Sequence, residues 1–268
     1  MNFASLPMYN PPEAPGASAA LWQGLARHFR RAGIADVPDR LVERPPLPEH
    51  WLSPDLLFSH TCGYPLTHAL SGHVRLLATP CYDAPGCEDA SYCSFLVVPA
   101  DSPAASLAQL RGKRAAFNTP DSQSGMNALR AVVAPLAENG RFFAEVIETG
   151  SHARSLDLVA AGGADVATID CVSLALYRLH GRPSVSRVRA LCQTPGAPSL
   201  PFITSGSASH ETVMRLRDGL RAAMADPAMR DARHALLLRD VMLLPDSAYE
   251  PILEMERTAR RLGYPVLA

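Results

Sequence analysis

Residues 114–125 read RAAFNTPDSQSG and join an apolar run to the polar start of a helix. The run 114–118 has the short apolar character of a buried strand. After Ser124, apolar side chains recur at the spacing of one helix face, at Met126, Leu129, Val133 and Leu136. A strand, a polar turn and a helix in this order are typical of an α/β protein.

The same alternation extends along most of the chain. Eight further apolar runs have the length and composition of buried strands, at 3–8, 55–59, 74–78, 94–98, 144–148, 166–169, 188–192 and 202–204. Helical periodicity returns over 213–223 and again over 252–262. This pattern predicts the α/β class, with mainly parallel sheets flanked by helices.

The order of these elements predicts two lobes. The series from 94 to about 177 could form a lobe of its own, whereas the strands and helices after 187 need a sheet to pack on. We therefore expect a discontinuous first lobe of residues 1–95 and 195–268, and an inserted second lobe of residues 96–194. Two crossing segments would join them, leaving a ligand cleft between the lobes.

Composition excludes several classes of protein. Apolar residues make up 47% and charged residues 19%, which excludes a disordered chain or a coiled coil. With 25 basic and 26 acidic residues, the chain lacks the basic field of a nucleic-acid-binding protein. No apolar stretch approaches the roughly 20 residues of a membrane span. Residues 1–12 lack the features of an export signal, so we expect a cytoplasmic protein as written, or a periplasmic one if the sequence was trimmed.

Motifs for cofactor chemistry are missing from the sequence. It has no G-x-G-x-x-G, no P-loop and no G-x-S-x-G, which argues against binding of dinucleotides or nucleoside triphosphates and against acyl transfer. The spacing of histidines and cysteines matches no common metal site, so we expect neither a metal nor a cofactor. The six cysteines do not have the density of a disulfide scaffold, and we expect most to be reduced, buried or nearly buried residues.

The polar turn 118–125 is the strongest candidate for a binding site. Backbone N–H groups at a helix start have no acceptor four residues earlier, and the helix dipole favours an anion there. The hydroxyls of Ser122 and Ser124 can donate to the oxygens of a tetrahedral oxyanion. The alternative is that Asp121, Ser122 or Ser124 is an ordinary N-cap.

Two further strand-end residues are expected on the same edge as this turn. His152 follows strand 144–148 and the turn Gly150-Ser151, where it could donate to a ligand, cap a helix or lie on the surface. Asp170 ends strand 166–169, where it could receive a cationic group or cap the next helix. In the first lobe, Tyr9 and Tyr64 lie in strand-end loops and could close over a small ligand or fill an interface.

Taken together, these motifs resemble the PhnD-like phosphonate-binding substrate-binding proteins of ABC transporters. The resemblance covers most of the chain and rests on Met8-Tyr9, PDLL at 54–57, TCGYPL at 61–66, LRG at 110–112, SQSG at 122–125, TGSH at 149–152 and residues 165–170. It implies the two-lobed type 2 periplasmic-binding fold.

The resemblance also implies a set of ligand contacts. The anion would be held by the Ser-x-Ser-Gly turn, meaning Ser122, Gln123, Ser124 and Gly125. Tyr9, Tyr64 and His152 would surround the ligand, with Asp170 at its cationic end. The implied partners are a small anionic solute and an ABC-transporter permease.

Two departures from the family pattern leave other functions open. Gln123 stands where the phosphonate binders usually carry Thr, and the export signal of a transport receptor is missing. Non-catalytic binding of a phosphonate, phosphate ester or similar oxyanion is the leading hypothesis. The alternatives are an enzyme on the same fold, like those of pyrimidine-precursor synthesis, using Cys62, His152 or Asp170, and a cytosolic ligand-sensing module.

Overall fold

The computed structural model describes residues 2–43 and 45–268. Met1, with which the predicted first lobe begins, lies outside the described residues. The strands in chain order are β1 (Phe3–Ala4), β2 (Leu56–His60), β3 (Val74–Tyr82), β4 (Ser91–Tyr92), β5 (Ser94–Pro99), β6 (Arg114–Phe117), β7 (Glu145–Glu148), β8 (Val166–Asp170), β9 (Val188–Gln193), β10 (Ala197–Pro198), β11 (Phe202–Ser205) and β12 (Leu238–Met242). The α-helices are α1 (Ala17–Arg31), α2 (Gly63–Thr67), α3 (Ala128–Val133), α4 (His152–Ala160), α5 (Cys171–Leu179), α6 (His210–Ala225), α7 (Arg230–His234) and α8 (Glu250–Arg261).

The first of two compact units comprises Met1–Ser91 and Pro198–Ala248. Its five-stranded sheet has the order β1-β2-β11-β3-β12, in which β1 and β2 are parallel and the other neighbours antiparallel. Four aromatic rings pack together in its core, with neighbouring centroids 4.9–6.0 Å apart, at Trp22, Phe29, Phe58 and Phe202. Burial of these rings supplies much of the apolar stabilisation of this unit.

The second unit comprises Tyr92–Ala197 and Tyr249–Ala268. Its sheet has the order β7-β6-β8-β5-β9, with β6 parallel to β7 and β8, and β5 antiparallel to β8 and β9. Alternate side chains of β8 enter two different clusters: Val166 packs with α3, and Ala167 and Ile169 pack with α4. Helices therefore cover both faces of this sheet, as the α/β prediction requires.

All nine runs predicted as strands contain a strand, but the prediction of mainly parallel sheets needs correction. Among the described strands of the two large sheets, only β1–β2, β6–β7 and β6–β8 pair in parallel. The other five pairs are antiparallel because β5, β11 and β12 run against their neighbours. Periodicity within a strand shows that it is buried, not which way its partner runs.

The predicted lobe boundaries need a second correction, at the C-terminus. Residues 249–268 were expected in the first lobe but pack in the second unit. Ala259 and Tyr264 are fully buried in the cluster that contains Leu129 and Val133. The chain therefore passes between units three times rather than twice, at 91–92, 197–198 and 248–249.

In the part of the chain that the structure describes, no helix has the length and apolar character needed to span a membrane.

Candidate functional site

The turn after β6 opens a continuous helical segment in the second unit. Ser122 Oγ accepts a hydrogen bond from the Gly125 N–H at 3.0 Å, so Ser122 is an N-cap, as one of the two predicted interpretations held. The N–H of Asn127 donates to the Ser122 carbonyl at 3.0 Å, five residues apart, so Gln123–Asn127 forms a turn of π-helix that continues into α3. Single π-turns of this kind are frequently found at functional sites.

A second helix start lies against the first. The N–H of Gly150 donates to the Asn118 carbonyl at 2.8 Å, which ties the two strand-end loops together. Ser151 caps α4 by accepting from the Arg154 N–H, and His152 is the first residue of this helix. Ser124 Oγ and His152 Nε2 lie 2.8 Å apart, within hydrogen-bond distance. The structure thus brings the predicted serines, Gly125 and His152 together.

The environment of His152 favours a neutral imidazole. Burial lowers its pKa to about 4, and the Thr168 backbone carbonyl offsets part of that shift. The other ring nitrogen, Nδ1, is buried and has no partner of good hydrogen-bond geometry among the described residues. Either Ser124 Oγ or His152 Nε2 can be the donor in their 2.8 Å contact, depending on the tautomer of the ring. When Nε2 carries a hydrogen, the hydroxyl hydrogen of Ser124 is available to donate to a bound anion.

Asn118 is a site residue that the sequence analysis did not single out. Its Oδ1 is buried without a hydrogen-bond partner among the described residues, as is Thr168 Oγ1. The Asn118 Oδ1 atom would lie 1.9 Å from a Cβ placed on Gly125, with His152 Cε1 at 3.3 Å. Residue 125 must therefore be glycine for these side chains to approach. Asn118 stands in the turn quoted above, so its position at a strand end was the signal that could have identified it.

The side chain of Gln123, which the sequence predicts to contact the anion, forms hydrogen bonds with its own helical segment and with α8. Gln123 is buried, its Oε1 accepts from Asn127 Nδ2 at 2.6 Å, and its Nε2 donates to Met255 Sδ at 3.2 Å. Asn127 Nδ2 also donates to the Ile252 carbonyl at 3.0 Å. The amide of Gln123 therefore links the turn to α8.

Asp170 acts as a helix cap. It is buried, and its Oδ1 accepts from the Ser173 N–H at 2.9 Å at the start of α5. Sequence reasoning left a cap and a contact with a cationic group equally open. The geometry supports the cap.

The two predicted tyrosines belong to the first unit. Tyr9 has a φ of 52°, a strained backbone conformation for a bulky residue. Its ring meets Tyr82 and His60 edge-on, with centroid distances of 5.0 and 5.4 Å. Tyr64 stacks on His68 at 3.8 Å. A strained backbone persists only where the surrounding structure stabilises it, and such strain is common at ligand-binding sites.

No group of three or more His, Cys, Asp or Glu side chains in residues 2–43 and 45–268 could hold a metal ion.

Residues 54–247 match the family model of periplasmic substrate-binding proteins of phosphonate ABC transporters. The chain belongs to this family. Its members are substrate-binding proteins of ABC transporters, so the family implies a small solute and a transporter permease as partners. The comparison with curated proteins gave no match.

Solved structures show the same fold at low sequence identity. A binding protein component of an ABC phosphonate transporter from Pseudomonas aeruginosa is 18% identical with a TM-score of 0.79, over 97% of this chain and 87% of that one. PhnD1 from Prochlorococcus marinus, in complex with methylphosphonate, is 12% identical with a TM-score of 0.75, over 97% and 98%. A Xanthomonas citri protein bound to ATP is 18% identical with a TM-score of 0.71, over 97% of both chains. The fold is therefore that of periplasmic binding proteins, as the sequence predicted.

Proposed function

We propose that this family member binds a tetrahedral oxyanion, a phosphonate or a phosphate ester, through Ser122, Ser124 and His152 of the second unit. The observation that carries the proposal is the 2.8 Å contact between Ser124 Oγ and His152 Nε2, which joins the starts of two helices. Both helix starts favour negative charge, and both are lined with hydroxyl groups.

The chemistry of these groups suits an anion. A phosphonate offers three acceptor oxygens, and the Ser124 hydroxyl can donate to one of them when His152 Nε2 carries a hydrogen and donates to Ser124 Oγ. The Ser122 hydroxyl already accepts from Gly125, so its own hydrogen can be directed to a second oxygen. Backbone N–H groups at the start of the segment 123–127 supply further donors. Gly125 contributes by having no side chain to obstruct this approach.

The remaining predicted contacts divide into two groups. Tyr9 and Tyr64 lie in the first unit and stay predicted ligand contacts, each offering a flat apolar ring and one hydroxyl. Gln123 and Asp170 are not part of the proposed ligand set, because their side chains are bonded to α8 and to the start of α5. In this proposal the Asp170 carboxylate does not contact the solute, so it does not increase the affinity for solutes that carry an amino group.

The proposal is tested by calorimetry with methylphosphonate, methyl phosphate, inorganic phosphate, sulfate and ATP. We expect binding of at least one phosphonate or phosphate ester, and a loss of about 1–3 kcal/mol in the double variant Ser122→Ala/Ser124→Ala. Ser209→Ala is the matched control, since Ser209 caps α6 with a similar bond of 3.0 Å to the Thr212 N–H in the first unit. Unchanged affinity in the double variant would remove the serines from the site.

An enzymatic role is tested on the same samples. Phosphorus NMR of each bound phosphonate or ester, followed over hours, should show no product. Product formation that disappears in Cys62→Ser or His152→Gln would replace solute binding by catalysis as the function of this chain.

A further inference from the structure

Cys93 and Cys171 lie opposite each other at the end of the β5–β8 ladder. The terminal pair of this antiparallel ladder is Ser94 with Asp170, and the Cys171 N–H donates to the Cys93 carbonyl at 3.1 Å, which extends the pairing by one residue. The nearby Cys171 thiol is the largest cause of the raised pKa of Cys93, which is consistent with two side chains that lie close together. Directly opposed residues of an antiparallel pair have Cα atoms about 4.5–5.5 Å apart, within the range of roughly 4.4–6.8 Å that a disulfide spans.

We propose that Cys93 and Cys171 form a structural disulfide when the chain folds in the presence of a small disulfide oxidant such as oxidised glutathione. The Cys93 thiolate attacks one sulfur of the oxidant, forming a mixed disulfide and releasing one thiolate. The Cys171 thiolate then attacks the Cys93 sulfur and displaces the second. The two cysteines lose two electrons and two protons, and the oxidant becomes two thiols.

The cysteines within the described strands do not face another cysteine across their ladders, because Cys81 pairs with Asp240 and Cys192 pairs with Leu96. Burial raises the pKa of the Cys81 thiol, and the charge of Arg239 offsets part of that increase. Cys87 and Cys192 are half-buried, and burial alone raises the pKa of Cys192. Disulfides persist in oxidising compartments, and the description of this family places its members in the periplasm.

Burial determines when the oxidation can occur. Cys93 is 7% exposed and Cys171 1% exposed in the folded protein. The nearby Cys171 thiol, together with burial, raises the pKa of Cys93, so the reactive thiolate is scarce once the protein has folded. Oxidation therefore takes place during folding, when both thiols are accessible. Once formed, the buried disulfide is protected from reductants.

A disulfide here would close a loop of about 80 residues that contains β6, the turn 118–125 and α4. Cross-linking a loop of this size removes much conformational freedom from the unfolded chain. We expect the oxidised protein to melt roughly 5–15 °C above the reduced protein.

The test is refolding of the full chain from a reduced, denatured state in a glutathione redox buffer. Free thiols are alkylated, the protein is digested, and disulfide-linked peptides are identified by mass spectrometry. We expect one dominant cross-link, between Cys93 and Cys171, and a melting temperature that falls when the bond is reduced. Full alkylation of both residues, or a dominant link between other cysteines, would overturn the proposal.

Two variants make the result specific. Cys87→Ser leaves the opposed pair intact and should keep both the cross-link and the difference in melting temperature. Cys171→Ser leaves Cys93 alone and should abolish both, and the wild-type cross-link decides the question even if this variant folds poorly. If folded Cys171→Ser still melts at a higher temperature under oxidising than under reducing conditions, a different disulfide causes the stabilisation and the proposal is wrong.

Discussion

At the residue scale, the proposed anion site predicts that His152 couples anion binding to protonation. Its pKa of about 4 in the free protein lies below the ordinary value of 6.5, so the ring is neutral near pH 6. A bound anion favours the charged form and raises this pKa. We therefore expect binding to take up protons between about pH 4 and 6.5, and affinity to increase as the pH falls through that window.

Calorimetry in two buffers of different ionisation enthalpy measures this proton uptake. Methylsulfonate is the suitable ligand, because its own charge does not change in this range. His152→Gln should reduce the uptake to near zero, whereas His234→Gln, on the exposed end of α7, should leave it unchanged. Equal uptake in both variants would show that another group titrates.

The same residue contributes to the pH dependence of stability in the free protein. A histidine whose pKa is lowered on folding binds a proton more readily in the unfolded chain. Stability is thus full above the unfolded value of 6.5 and is lost as the pH falls toward the folded value. Buried His60, with a pKa lowered to about 3, acts in the same direction.

Sequence reasoning identified most of the residues that meet around the turn, but not the direction of every side chain. Ser122, Ser124 and His152 were predictable because hydroxyl and imidazole groups at helix starts have few alternative positions. The bonds of the Gln123 amide to Asn127 and Met255 were not predictable, since the π-turn that directs this side chain leaves no periodic signal in a single sequence. Asn118 was overlooked because its unpartnered oxygen is a property of packing.

At the scale of elements, the helical segment that begins at 123 is held to α8 by a buried polar network. Asn127 Oδ1 accepts from Arg130 Nη2 at 2.6 Å, and Arg130 Nη1 donates to the Pro265 carbonyl at 2.9 Å. Glu256 lies 3.7 Å from the same guanidinium. Both ends of this ion pair are almost fully buried, so loss of one partner would leave a poorly solvated charge.

Gln123→Met tests whether the Gln123 amide positions the turn. The substitution keeps volume but removes the acceptor for Asn127, so we expect a loss of about 1–3 kcal/mol in the free energy of unfolding. Anion affinity should fall with it, since the turn that holds the serines becomes less fixed. Thermal unfolding and calorimetry on the same sample separate the two effects.

Two further variants test whether the Gln123 side chain fixes the position of the turn or contacts the anion. Gln109→Met removes the amide of an exposed glutamine whose Oε1 accepts from the Ala105 N–H, and it should leave anion affinity unchanged. Gln123→Thr restores the residue usual in phosphonate binders and adds a hydroxyl to the turn. If the side chain fixes the position of the turn, this variant is less stable and binds no more tightly; a stable protein with higher affinity would contradict that role.

At the scale of the whole molecule, the sequence predicted which segments form strands and helices better than it predicted which segments pack together. Apolar runs identify strands because burial on both faces requires them. The C-terminal helix was equally recognisable, with Ile252 and Ala259 on one apolar face. Its amphipathic pattern shows that the helix must pack on an apolar surface but does not show which surface that is. The packing of the C-terminus in the second unit depends on contacts between residues distant in sequence, such as the hydrogen bond from the Phe142 N–H to Ala268 O at 2.8 Å.

The dependence of the second unit on its last residues yields the largest predicted effect on stability. Tyr264 is fully buried among apolar side chains, and its Oη accepts from the Ala268 N–H at 2.8 Å. Tyr264→Ala would leave a cavity and should cost about 3–5 kcal/mol. Hydrogen exchange should show the loss of protection in residues 92–197, with residues 2–43 and 45–91 little changed. Val266→Ala, at a side chain 64% exposed, is the control and should shift stability by less than about 0.5 kcal/mol. Loss of protection confined to the first unit would mean that residues 249–268 belong with it, as the sequence alone had suggested.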